Sequence, residues 1–328
     1  MKKSPLILSR RQLLKAGAGL SASGLVYASA LQANTIDTQA RIVLIGGGAS
    51  GMAMANRLAT RLRGGTITLI EPRDTHHYQP GWTLVASGVW DPEKTMRPNA
   101  DFIPQGINWV RQYAAGIDAE NRRVDLANGE SLEYDYLVVA TGLQLNYNLI
   151  DGMSPDLVGQ HGIGSVYASI EGAARTRQAI KGWIDGGEGK GIFTASPTAV
   201  KCAGAPLKMT FTTLTHLEES GRRDAYDVDF MSPTGGLFSQ PWVNDFVKQR
   251  FDEQGVNRRH HYRLSAIDPQ AKQAEFTFEG EPGSLVVPDD LRSGEANAQG
   301  KPTIIADYDF IHVVPPMSAP DFVKQSDL

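Results

Sequence analysis

One cysteine, Cys202, is present in 328 residues. A single thiol excludes an intramolecular disulfide, a Cys-x-x-Cys redox pair and any all-thiolate zinc or iron–sulfur site. Acidic residues are missing from positions 1–33, which carry the five cations Lys2, Lys3, Arg10, Arg11 and Lys15. Removing those five from the 32 basic residues leaves 27 against 36 acidic ones, a net of −9 for the remainder. So acidic a body is unsuited to nucleic acid, whose phosphates require a basic footprint. Repetition and low complexity are also lacking, which excludes disorder and collagen-like architecture. What is there is an ordinary folded composition, 41% hydrophobic and 21% charged, in a length comfortable for two domains.

The N-terminal segment 1–33 reads Ser9-Arg10-Arg11-Gln12-Leu13-Leu14-Lys15, then a weakly apolar, small-residue stretch over 16–31. That stretch is too short and too mild to span a bilayer, and Gly17, Gly19 and Gly24 weaken it as a membrane-docking helix. It resembles a twin-arginine export signal, with Leu13 where Phe is commoner and cleavage expected after Ala30 or Ala33. The expectation is a periplasmic protein, peripheral to the inner membrane, that is exported folded with a cofactor in place.

Arg41-Ile42-Val43-Leu44-Ile45 is a β-branched run followed by Gly46-Gly47-Gly48-Ala49-Ser50-Gly51, a helical pattern from Met52 to about Arg63, and a second strand over 66–71. This is strand–turn–helix–strand with G-x-G-x-x-G at the turn and an acid, Glu71, 20 residues past the last glycine. In such a cradle the first glycine makes the tight turn and the second lets backbone N–H groups approach a pyrophosphate. The third packs helix on strand, and the acid accepts from a ribose hydroxyl. The dipole of the helix N-terminus adds to the phosphate attraction, together with the backbone of Ala49 and Ser50. Tyr134 to Ala140-Thr141-Gly142 is similar to the second flavin motif of two-dinucleotide-domain flavoproteins. The Trp109–Val124 stretch, with Ala115-Gly116-Ile117-Asp118, resembles the segment that passes the adenine in those proteins. Together these features favour FAD.

The second half continues as a β/α series: strands over 191–196, 227–231, 256–266, 274–278 and 303–314, with helices over 208–223 and 241–254. The turn after its first strand, Ser196 to Pro206, has no G-x-G-x-x-G and holds Cys202 instead. No NAD(P)H is therefore expected as electron donor. A lone cysteine is most often a small buried hydrophobe. This one lies on a Gly/Pro-rich loop beside Lys201 and near Lys208, where positive charge favours a thiolate, so the redox reading is preferred. His76, His77, His260 and His261 read as solvent-facing.

Four segments carry a family resemblance: Tyr78-Gln79-Pro80-Gly81-Trp82-Thr83, Thr141 to Tyr147, Lys201 to Lys208, and His312-Val313-Val314-Pro315-Pro316-Met317. They are similar to the sulfide:quinone oxidoreductases, in particular the branch that includes the mitochondrial enzymes. The resemblance implies an α/β chain with two Rossmann-like dinucleotide-binding domains and bound FAD. It also implies oxidation of sulfide to sulfane sulfur, with electrons passed to a membrane quinone. It makes Cys202 one of two sulfur-relaying cysteines and sets Gln79, Pro80 and Trp82 near the flavin ring, with Glu71-Pro72 at the end of the second strand. The implied organisation is a signal segment 1–33, a first part of the FAD domain over 41–150, a second Rossmann-like domain without a nucleotide fingerprint over 151–314, and the start of a return to the FAD domain over 315–328. The family's second cysteine and Gly-Asp flavin motif have no counterpart here, so the expectation is an FAD domain incomplete at its C-terminus. The alternatives are the flavoprotein subunit of flavocytochrome c sulfide dehydrogenase, which usually attaches FAD through an early cysteine, and a non-catalytic nucleotide-binding remnant.

Overall fold

A computed structural model describes residues 35–328, which form two compact units. The first unit takes the chain up to Pro72 and again from Phe102 to Ala140; the second takes Arg73–Asp101 and Thr141–Leu328. The signal-like segment 1–33 lies outside the described residues.

In the first unit, β1 (Arg41–Ile45), α1 (Ala49–Arg61) and β2 (Thr66–Ile70) make the expected strand–helix–strand unit. β1 pairs in parallel with β2 and, on its other side, with β7 (Tyr136–Val139), while β3 (Asn108–Val110) pairs with β2. Ile42 and Leu44 of β1, Ile67 and Leu69 of β2, and Met52 and Ala55 of α1 form one buried apolar cluster. Such burial of an amphipathic helix on a β-branched sheet is what fixes the turn between them. A smaller antiparallel sheet of β4 (Ala114–Asp118), β5 (Arg123–Leu126) and β6 (Ser131–Glu133) completes the unit, with a register shift between Ala114 and Gly116.

The second unit is built on a five-stranded parallel sheet. Its order is β8 (Ile163–Gly164), β15 (Phe310–His312), β9 (Gly189–Thr194), β10 (Tyr226–Ser232) and β11 (Val256–His260). A second sheet is antiparallel, formed by β12 (Tyr262–Asp268), β13 (Gln273–Phe278) and β14 (Thr303–Asp307) with Arg292–Ser293 at its edge. Its helices include α2 (Trp82–Ala86), α3 (Ile170–Gly186), α4 (Ala205–Glu219) and α5 (Pro241–Glu253).

The structure departs from the expected organisation in three places. Residues 73–101 and 141–150 belong to the second unit, because Trp82, Val85 and Ala86 of α2 are buried in the same cluster as Ile170, Ala173, Met209 and Phe310. The strand expected over 256–266 breaks at His261, whose φ of 67° turns the chain from the parallel into the antiparallel sheet. The strand expected over 303–314 likewise divides: β14 pairs with β13, and β15 with β9 and β8. The 17-residue α3 was not legible in the sequence, where Gly172 and Gly182 interrupt its propensity. It is started instead by the Ser169 hydroxyl, which accepts from Gly172 N–H.

Candidate active site

Two sites emerge, one in each unit. In the first, Gly46 has φ 103°, and a Cβ on Gly51 would lie 1.8 Å from the Gly46 carbonyl oxygen. Both glycines are therefore dictated by geometry. A Cβ on Gly48 would meet nothing within 4 Å, so the turn is open at that point. Gly48 caps α1 without a side-chain hydrogen bond, no acid occupies the first turn, and Ala49 and Ser50 are exposed. The helix thus offers uncompensated N–H groups and a positive dipole end to an anion. The Glu71 side chain is buried, 1% exposed, and its Oε2 accepts from Gly47 N–H at 2.7 Å. It braces the turn from below, and Trp109 Nε1 donates to the Glu71 carbonyl at 2.8 Å. Pro72 is half-buried. Ala140, which donates its N–H to Ile45 O, stands 3.6 Å from the position a Gly51 Cβ would take. Ala115 is exposed at the register shift of β4. An open, uncapped glycine turn over a buried acid fits the pyrophosphate of a dinucleotide.

In the second unit, Cys202 sits three residues before α4 and is exposed. Its φ of 57° is in the left-handed region, a strained conformation for a side chain with a Cβ. Two donors hold its carbonyl there: Ala205 N–H at 3.0 Å and the Tyr167 hydroxyl at 3.0 Å. Burial pushes the Tyr167 phenol far above its ordinary value, and the neighbouring Cys202 adds to that rise, so the hydroxyl remains a donor. The pocket around Cys202 measures about 170 Å³ and is lined also by Gln79, Pro80, Trp82, Lys201 and Lys208. The three residues expected near the flavin ring and the expected nucleophile therefore converge on one cavity. Lys201 Nζ donates to Gln79 Oε1 at 2.9 Å and lies 5.9 Å above the Trp82 ring. Thr141 is half-buried and Gly142 exposed with φ 70° in the same unit, where Gln144–Leu145 pairs with Met317–Ser318.

Two histidines have surroundings that the sequence does not reveal. His77 is half-buried rather than solvent-facing, with its ring edge-on to Trp82 at 6.0 Å. Burial, then the charge of Arg73, lowers its pKa. His312 is fully buried, stacked on Phe193 at 6.1 Å, and neither ring nitrogen has a partner among the described residues. No sequence signal distinguishes either, because burial of an imidazole is a property of the packing around it.

The model of the family described as pyridine nucleotide-disulphide oxidoreductase matches residues 40–288. The chain belongs to that family. FAD is its cofactor, and the open cradle at Gly46–Gly51 fits it. The chain is 32% identical over 311 residues to the mitochondrial sulfide:quinone oxidoreductase of Dictyostelium discoideum, covering 93% of this chain and 63% of that protein. It is 30% identical over 285 residues to the enzyme of the same name from Mus musculus, covering 87% and 58%. The chain thus spans about three-fifths of the length of these relatives. Among solved structures, the sulfide:quinone oxidoreductase of Aquifex aeolicus superposes with a TM-score of 0.68 at 22% identity, covering 87% of this chain and 60% of that one. That likeness shows the shared fold.

The relatives also correct one expectation. Periplasmic, twin-arginine export does not stand, because the relatives matched over 87–94% of this chain are named as mitochondrial proteins. The physical reason is that a basic, acid-free, small-residue segment is common to several kinds of targeting sequence, so its charge does not discriminate between them.

Proposed function

We propose that this protein is an FAD-dependent oxidoreductase that takes sulfide as electron donor and a membrane quinone as acceptor, with Cys202 as the sulfur-carrying thiol. The observation that carries the reading is an exposed, conformationally strained Cys202 sharing one pocket with Gln79, Pro80 and Trp82. The names of the mitochondrial relatives, at 30–32% identity, agree with it, and they do not favour the flavocytochrome c or non-catalytic alternatives. Bound FAD would supply a two-electron acceptor. The chain's own contributions are the glycine turn and α1 N-terminus, which hold the phosphates, and the tethers from Tyr167 and Ala205, which keep the Cys202 side chain turned outward. Joining HS⁻ to the Cys202 thiolate as a persulfide forms one S–S bond and releases two electrons, which bound FAD would accept.

Quinone is lipophilic, and we infer that it is reached at a membrane surface. Among the described residues no helix is long and apolar enough to cross a membrane. We also infer that nicotinamide is not the donor, since the turn after β9 carries Pro197, Cys202 and Pro206 in place of a glycine cradle. The deciding experiment is sulfide-dependent reduction of a soluble quinone analogue by the purified flavoprotein. Cys202→Ser is expected to abolish it while leaving flavin absorbance intact, and retained turnover would refute the role of this thiol.

A further inference from the structure

The Cys202 pocket has an unbalanced charge. Two basic residues, Lys201 and Lys208, line it, and no acidic residue does. Lys201 is half-buried and its ammonium donates to the neutral amide oxygen of Gln79; the exposed Lys208 makes no ion pair among the described residues. Other half-buried cations of this unit meet acids: Lys190 meets Asp227, Asp229 and Asp290, Arg259 meets Asp229 and Asp290, and Arg263 meets Glu279. A second orphan lies in the same wall. Trp82 is only 6% exposed, and its indole N–H finds no acceptor among the described residues. A half-buried cation without a counter-ion and a buried donor without an acceptor are costly unless a ligand completes them. The two lysines and the Trp82 indole N–H are all donors.

We propose that Lys201, supported by Lys208, makes this pocket an anion-selective site that draws small anionic sulfur species to the Cys202 thiol and disfavours neutral ones of the same size. Lys201 is thereby a specificity-determining residue. The inference rests on the reading of Cys202 as the reacting thiol, and it narrows the substrate to the ionised form, hydrosulfide or a sulfane anion. Burial and the charge of Arg73 both lower the Lys201 pKa, as expected for a cation held in a cavity without a counter-ion.

Because the chain has one cysteine, alkylation reads this site alone. Iodoacetate and iodoacetamide share a leaving group and differ in charge, so the ratio of their rates on the flavin-loaded protein measures selectivity without any turnover. The ratio is expected to fall about tenfold in Lys201→Met at low ionic strength, a typical size for electrostatic steering. It is expected to persist in Lys201→Arg, to fall less in Lys208→Gln, and to shrink in the wild type as salt is added. The iodoacetamide rate serves as the control for folding, since a misfolded pocket would change both reagents together. An unchanged ratio in both Lys201→Met and Lys208→Gln overturns the inference. The two readings fail separately: sulfide oxidation that survives Cys202→Ser removes the role of this thiol in the reaction but leaves the anion selectivity measured here, and an unchanged ratio leaves the reaction standing.

Discussion

At position 51 an added methyl group would stand 1.8 Å from the Gly46 carbonyl oxygen, so an alanine there forces the turn and α1 apart. Gly51→Ala is expected to yield protein that has lost most of its flavin, seen as a fall in the ratio of visible to ultraviolet absorbance. His312 makes a different demand. Full burial without a partner holds its pKa down to about 3, against about 6.5 in an unfolded chain. The folded form therefore stays neutral where the unfolded form binds a proton. The stability this contributes is complete above pH 6.5 and is lost as the pH falls toward 3, at up to about 1.4 kcal/mol per unit. Unfolding free energies at pH 7 and pH 5 check this, and His312→Phe is expected to flatten the dependence. Position 202 shows the limit of reading residues singly. Its proximity to lysines is visible in the sequence, but its left-handed backbone and the Tyr167 tether, 35 residues away in the chain, exist only once α4 has docked.

Among the elements, β9, β10 and β11 are stapled by charge as well as by backbone pairing. Lys190 Nζ lies 3.2 Å from the fully buried Asp229 and 2.6 Å from Asp290, and Arg259 reaches both acids. Removing the lysine would leave a buried carboxylate with less than its share of counter-charge. Lys190→Met is expected to lower stability by about 2–3 kcal/mol, somewhat below the figure for a fully buried pair because Asp227 and Asp290 reach solvent. Asp229→Asn is expected to cost less, and urea unfolding followed by tryptophan fluorescence compares the two. The elements legible in the sequence were those with one clear period, such as β1, α1, β2 and α5. The breaks at His261 and between Asp307 and Phe310 were hidden. Each run is continuous in sequence, and only pairing partners reveal that its halves enter different sheets.

For the molecule as a whole, the absence of a second glycine fingerprint bears on which reductant it accepts. Under anaerobic conditions sulfide is expected to bleach the bound flavin, and NADH at the same concentration is expected to leave it oxidised; rapid bleaching by NADH would reassign the donor. The assignment of 73–101 to the second unit could not have been foreseen, since those residues interrupt the first unit in sequence yet bury Trp82 and Val85 among α3 and α4 side chains.

By itself the sequence determined the dinucleotide cradle, because its requirements are local: glycines at fixed spacing, a strand before, a helix after and an acid at the end of the next strand. It also named the thiol, since there is only one. Tertiary structure alone decided what surrounds them. Glu71 braces the turn through Gly47, Cys202 is held strained by a distant phenol, two lysines face a pocket with no acid, and His312 is kept neutral by complete burial. Each of these depends on which side chains packing brings within a few ångströms, and distance along the chain carries no record of that.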